Sequence, residues 1–405
     1  MNQNNNENKA VGFYGLGIAP ALLETLVSRL HFKNPTPIQE RAIPVLIQGK
    51  DIVGIAQTGT GKTLAFGIPM IQRLAQIQGK GIVIVPTREL ALQVDEVLRR
   101  VGNILGLRTA VLIGGLSYWP QIQALKKGPH IIIATPGRLI DHLDKRNIRL
   151  NDVRIAVLDE ADRMLDMGFL PQINKIFAVL PKERQTMLFS ATMPSEIMKI
   201  ASSHMKLPVR VEIAPTGTTV EKVTQELFIV PSLQKSILLG KILGSHLGST
   251  LVFTKTKYGA EKVVRKIRAT GISAAEIHSN RSLNQRREAL EGFKSGRYRV
   301  LVATDIASRG IDVVGIELVL NYDLPSTSND YVHRIGRTAR AGSGGHAITF
   351  AMPDQQREVR EIERLIRKPL PVSKLPDLPS VSFGSSQPSY RRPSYRRYRG
   401  RGWRR

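Results

Sequence analysis

The sequence predicts an α/β fold in two tandem domains, each a mostly parallel sheet flanked by helices, followed by a basic tail that lacks a core. Three observations carry this. Short Val/Ile-rich runs alternate with longer helical patterns along most of the chain, one turn-rich stretch interrupts that alternation, and the final stretch trades apolar residues for Arg, Ser, Pro and Tyr. At 405 residues the chain is long enough for two or three domains that each bury a core.

Residues 1–10 are polar and Asn-rich, with no apolar stretch, and predict a disordered N-terminus. The runs at 51–56, 81–86, 109–113, 131–135, 154–159 and 186–189 are short and dominated by apolar residues, Val and Ile above all, and read as buried parallel strands. They define a first domain over residues 11–213. Residues 214–220 (Ala-Pro-Thr-Gly-Thr-Thr-Val) have no period and read as a linker. A second strand series at 227–230, 250–254, 300–304, 318–321 and 346–350 defines a second domain over 221–368. It closes with a helix read from Val359, Ile362, Leu365 and Ile366 and stopped by Pro369 and Pro371. Residues 369–405 cannot bury a core and predict a disordered tail rich in Arg and Tyr.

Charge narrows the function. The chain carries 59 Lys+Arg against 33 Asp+Glu, a formal +26. Such a surplus repels itself and points to a polyanionic partner. The body of the protein is basic as well as the tail, which favours nucleic acid over a basic targeting tag. No run of eighteen apolar residues occurs, so no membrane span is expected and the chain reads as soluble and cytoplasmic. The absence of cysteine excludes disulfides and thiolate zinc sites, and no Gly-x-Ser-x-Gly elbow supports a serine hydrolase.

Ala56-Gln57-Thr58-Gly59-Thr60-Gly61-Lys62-Thr63 follows a strand and opens a helix, the context in which a glycine-rich loop wraps a phosphate with its backbone N–H groups. Lys62 would reach the β- and γ-phosphates and the Thr63 hydroxyl would bind Mg²⁺. Ala56 stands where the standard loop has glycine. Downstream, Val157-Leu158-Asp159-Glu160-Ala161-Asp162 is an apolar strand ending in acid. Alone it would read as a helix N-cap; paired with the Gly-Lys-Thr loop it reads as a site where Asp159 holds Mg²⁺ and Glu160 is the general base for an attacking water. The second domain has no such loop. It offers His333-Arg334-Ile335-Gly336-Arg337-Thr338-Ala339-Arg340, whose Arg337 and Arg340 fit arginine fingers acting across an interface, or else a solvated basic face.

In combination these motifs resemble the DEAD-box family of ATP-dependent RNA helicases, over residues 11–367. The resemblance implies two RecA-like domains, ATP and Mg²⁺ as cofactors, and RNA as partner with little sequence preference. It implies that Gln39, in Pro35-Thr36-Pro37-Ile38-Gln39, reads the adenine edge, with Phe32 stacking and Phe13 supporting. His31 stands where the family usually has glycine. Asp162, Ser190, Thr192 and His333 would couple the ATP site to strand separation, and Gly310 and Asp312 would meet the ribose. RNA contacts would come from Pro86, Thr87, Arg88, Gly115, Thr135, Pro136, Gly137, Arg138, Arg286 and Thr304. Leu283 and Ser279 depart from common residues and put the polar network around Arg286 in doubt. Ala339, the short N-terminus and the basic tail suggest a bacterial RhlE-like member. Local duplex separation or remodelling by hydrolysis is the leading function; an ATP-gated clamp and a DNA translocase are the alternatives.

From Leu378 onward there are eight arginines, no carboxylate, and Tyr390, Tyr395, Tyr398 and Trp403 interleaved. Arginine neutralises phosphates and both residue types stack on bases, so this segment reads as an RNA tether outside the motor. If about half the arginines meet phosphates at roughly 0.7 each, deleting residues 378–405 should flatten the log–log salt dependence of RNA binding by about 3. Binding titrations at several salt concentrations check this, and an unchanged slope refutes the tether.

Overall fold

The computed structural model describes residues 12–57, 59–213, 223–305, 316–338 and 344–377. The expectations for residues 1–10, Thr58, the 214–220 linker, Gly310, Asp312, Arg340 and the tail from 378 lie outside the described residues.

The first domain begins with α1 (Pro20–Glu24) and α2 (Pro37–Ile47). Then come β1 (Ile52–Ile55), α3 (Lys62–Leu74), β2 (Lys80–Ile84), α4 (Arg88–Gly102), β3 (Thr109–Leu112), α5 (Tyr118–Lys126), β4 (Ile131–Ala134) and α6 (Pro136–Asp144). β5 (Val153–Leu158), α7 (Ala161–Asp166), α8 (Leu170–Val179), β6 (Gln185–Ser190), α9 (Ser195–His204) and β7 (Val209–Glu212) complete it. The seven strands form one parallel sheet in the order β3-β4-β2-β5-β6-β1-β7. Because successive side chains point to opposite faces, Ile52 enters the apolar cluster shared with α2, α3 and α4, while Val53 enters the cluster shared with α6 to α9. Helices on both faces are what turn these strands into the continuous apolar runs seen in the sequence.

The second domain repeats the plan with β8 (Val223–Ile229), α10 (Lys235–Ser245), β9 (Thr250–Phe253), α11 (Lys257–Ala269), β10 (Ala274–Ile277), α12 (Leu283–Lys294), β11 (Val300–Ala303), β12 (Leu318–Asn321), α13 (Ser328–Ile335), β13 (Gly345–Ala351) and α14 (Gln356–Ile366). Its six strands are parallel in the order β10-β11-β9-β12-β13-β8.

Three departures from expectation have physical reasons. β7 and β10 are edge strands with mixed composition, so they lack the apolar run that marks the central ones. The tail boundary at 369 is too early. Leu370 is buried, and residues 371–373 run parallel to β8, with Leu227 N donating to Pro371 O (2.8 Å) and Ser373 N donating to Leu227 O (2.9 Å). The prolines that stop α14 still allow an extended edge segment, where a missing N–H costs little.

Gly54 of β1 packs directly against the aromatic core. A Cβ there would lie 2.6 Å from the buried Phe189 ring, which packs on Phe66 at 5.6 Å between centroids. Gly54→Ala should therefore overpack the core and cost about 1–3 kcal/mol, seen as a lowered thermal midpoint.

Candidate functional site

The loop after β1 turns twice through left-handed backbone, at Gly59 (φ 84°) and Gly61 (φ 87°), before α3 starts at Lys62. Glycine enters that region without a Cβ penalty. The loop is held from within: Thr60 Oγ1 donates to Gln57 O (2.7 Å), Ala56 N donates to Ser190 O (3.0 Å), and the buried Lys62 Nζ donates to Ala56 O (2.9 Å). Gln39 braces it from α2. Its Nε2 donates to Gly61 O (2.9 Å) and its Oε1 accepts from Thr36 N (2.9 Å) in the capping box that starts α2. The amide expected at the adenine edge is thus also a strut, and one N–H and one lone pair remain for a base. Phe32 is exposed as a stacking ring would be, whereas Phe13 is buried in the core. His31 adopts φ 56°, a left-handed conformation that explains why glycine is usual there.

β5 delivers Asp159, Glu160 and Asp162 to the same end of the sheet, each less than a tenth exposed. Burial pushes the Asp159 carboxyl up to about 6, against the downward pull of Lys62. Glu160 is equally buried, but Arg163, Lys62 and Arg337 together hold it below the ordinary carboxylate range. It ion-pairs with Arg163 and sits in left-handed backbone (φ 54°) at the cap of α7. Burial also opposes ionisation of Asp162. Lys62, His333 and the Thr192 hydrogen bonds outweigh it, so its carboxyl is lowered. Its Oδ2 accepts from Ala191 N (3.1 Å), Thr192 N (2.9 Å) and Thr192 Oγ1 (2.9 Å), and Ser190 Oγ accepts from Asp162 N (3.2 Å).

The cations of this list come from both domains. Arg337 and His333 lie on the second domain, yet their charges act on Glu160 and Asp162 of the first. His333 is pushed down by burial and by Arg163 and Arg337, partly offset by Asp162. Arg334, between them in the motif, does something else. It is 2% exposed and makes a bidentate pair with Asp305 (2.6 and 2.7 Å), with further bonds to Asn321 Oδ1 and Asp323 O. Sequence reasoning missed Asp305 as its anchor, since no spacing rule connects residues that far apart.

The expected RNA residues gather on the other half of the sheet. Pro86, Thr87 and Arg88 follow β2, Gly115 follows β3, and Thr135, Pro136, Gly137 and Arg138 follow β4; these three strands are neighbours. Thr87 caps α4 by accepting from Leu90 N (3.2 Å), and Arg138 Nη1 donates to Leu116 O (2.9 Å). Thr304 follows β11, with its N–H directed to Ile277 O (3.4 Å). Arg286, expected at the RNA, pairs across the domains with Glu89 (3.0 Å) and is largely covered. Leu283, three residues earlier, joins the apolar cluster of the first domain. Where a polar network was in doubt, the chain has an apolar contact and an ion pair that join its two halves.

Two family models match the chain, DEAD/DEAH box helicase over residues 36–200 and Helicase conserved C-terminal domain over 234–342. The ATP-dependent rRNA helicase RRP3 of Gibberella zeae is 45% identical over 84% of this chain and 70% of its own length. Among solved structures, S. cerevisiae Dbp5 bound to RNA and ADP BeF3 superposes with a TM-score of 0.78 at 29% identity, covering 89% of this chain and 95% of that one. Mss116 bound to ssRNA and AMP-PNP gives 0.81 at 27% identity, covering 93% and 82%. The bacterial RhlE-like placement gains no support, because the RRP3 relatives are fungal. Models that together span most of the chain, a relative of this identity, and a shared two-sheet architecture lead to one conclusion: the chain belongs to the DEAD-box helicase family.

Proposed function

We propose that the chain is an ATP-dependent RNA helicase that uses RNA-stimulated hydrolysis to separate short duplexes or remodel RNA–protein complexes, with ribosomal RNA the substrate class suggested by the names of its fungal relatives. The observation that carries this reading is the buried acid cluster at the end of β5, whose neutralising cations come from both domains. ATP would lie over the loop 56–63, its adenine between Phe32 and Gln39. Lys62 spends one N–H on Ala56 O and keeps two for the β- and γ-phosphates. Glu160, held ionised by its cations, would orient the attacking water and take its proton. Arg337 would stabilise charge developing on the γ-phosphoryl from across the interface, with Arg340 as a second finger from the same motif.

Thr63 and Asp159 would hold Mg²⁺, which when bound neutralises charge on the phosphates. The residues fit. Asp159 is a carboxylate that burial pushes up to about 6, with Glu160 adding to the rise, so a nearby dication would favour its ionised form. A hard dication held by few protein oxygens would take the rest of its shell from water and phosphate oxygens.

Asp162 accepts three bonds from residues 191–192 and sits in the field of His333, so a change at the γ-phosphate has a short path to the second domain. Pairing with RNA along residues 86–88, 115 and 135–138 would use backbone and 2′-OH contacts, which suit a single strand of any sequence. No helix among the described residues is long and apolar enough to cross a membrane.

Glu160→Gln keeps the shape but cannot take a proton. ATP and RNA should bind and stay bound while kcat collapses, so near-normal turnover would remove Glu160 from the mechanism. Arg337→Ala should lower kcat by on the order of 10³ in steady-state ATPase assays at saturating RNA. A loss of only a few-fold would leave Arg337 as a closure contact alone.

A further inference from the structure

The segment Leu116-Ser117-Tyr118-Trp119 leads from β3 into α5 at the carboxyl end of the first sheet, and neither the ATP site nor the coupling network uses it. Two arginines bracket the turn before it. Arg88 packs against Gly114 and Gly115 so closely that a Cβ on Gly115 would overlap its guanidinium, and Arg138 Nη1 donates to Leu116 O. Tyr118 is held in place by its neighbours. Arg138 lies 4.2 Å and Lys145 4.0 Å from its ring centroid, and its hydroxyl donates to Asp141 Oδ2 (2.9 Å). Trp119, the next residue, stands 64% exposed on the first turn of α5, beside the exposed Leu116. A tryptophan ring left in water on a rigid element is a costly surface, because this residue is highly buried on average.

Position decides what would cover it. β3 is the edge strand, and the expected RNA contacts run along β2, β4 and β3. Trp119 therefore lies at the outer end of that row, where a strand leaving Gly115 and Arg138 would pass. The turn that leads to it is rich in cations: Arg88 packs on Gly115, and Arg138 and Lys145 lie over the ring of the preceding Tyr118, whose hydroxyl and Arg138 engage Asp141. Cations for phosphates beside a free aromatic face are the two parts of a single-strand platform. We propose that Trp119 is an RNA-binding residue that stacks on a nucleobase just beyond the contacts of residues 86–88, 115 and 135–138, extending the grip of the first domain on the strand.

This inference rests on the proposed RNA-stimulated ATPase, and the test separates the two. The chain has two tryptophans, Trp119 and Trp403, so in full-length Trp403→Phe the emission reports Trp119 alone. Adding a short oligouridylate in the presence of a non-hydrolysable ATP analogue should quench that emission saturably. Trp119→Ala should raise the RNA concentration for half-maximal ATPase stimulation by about fivefold or more, and Trp119→Tyr should restore most of the loss. On an oligonucleotide with abasic sites throughout, the parent should lose its advantage over Trp119→Ala. Emission that ignores RNA, an unchanged half-saturation in Trp119→Ala, or an advantage that persists on the abasic strand would each overturn the stacking role while leaving the helicase reading intact, and would turn the exposed ring toward a protein partner. If RNA fails to stimulate ATP hydrolysis in the parent protein, the helicase reading falls and this inference with it.

Discussion

An ionised carboxylate taken out of water needs matched positive charge, and β5 buries three at its end. Asp159, Glu160 and Asp162 share Lys62 from their own domain, and Arg163 covers Glu160. The remaining partners belong to the other domain: Arg337, and His333, which burial pushes toward its neutral form. Separating the domains would return part of this cluster to water or leave it short of partners. Domain closure and the electrostatics of the ATP site are therefore one equilibrium, and whatever alters charge at the phosphates alters how firmly the domains hold together.

Sheet order turns that equilibrium into communication. β5 lies between β2, which leads to the RNA half, and β6, which leads through residues 190–192 back to the phosphate loop beside β1. Acid from β5 and hydroxyls from β6 meet in the Asp162 network, so the strand that carries the proposed catalytic carboxylates also borders β2, one of the strands that would carry RNA. On the other side of the interface, Arg286 with Glu89 and Leu283 with the first-domain cluster close the RNA half, while His333 and Arg337 close the ATP half. Two separate contact areas, one per ligand, explain how both could be needed to hold a closed form.

The chemistry-bearing segments were legible because they are local. A glycine loop between strand and helix, and acids ending an apolar run, announce themselves within eight residues, and the central strands announce themselves by unbroken burial. β7 and β10 did not, since one face of an edge strand is left to polar residues. Nor did the partners of Arg286 and Arg334. Glu89 and Asp305 are far away in sequence and neither has a spacing that marks it. Leu283 read as a lost polar group, and only the packed structure shows that its new neighbour is the other domain. The resemblance suggests Gln39 as a base reader but says nothing of its bracing of Gly61, because that role appears only once α2 lies against the loop.

The extended residues after α14 bear on where the second domain ends. β8 is the outer strand of its sheet, and its backbone at Leu227 is satisfied by Pro371 and Ser373. A chain cut at Ile366 would lose that cover along with buried Leu370, and would present unpaired N–H and C=O groups along a flat border. Such a border recruits strands from other molecules. The short proline-bearing overlay pairs that border within the chain, so the outer limit of the second domain is set by backbone hydrogen bonding beyond its last helix.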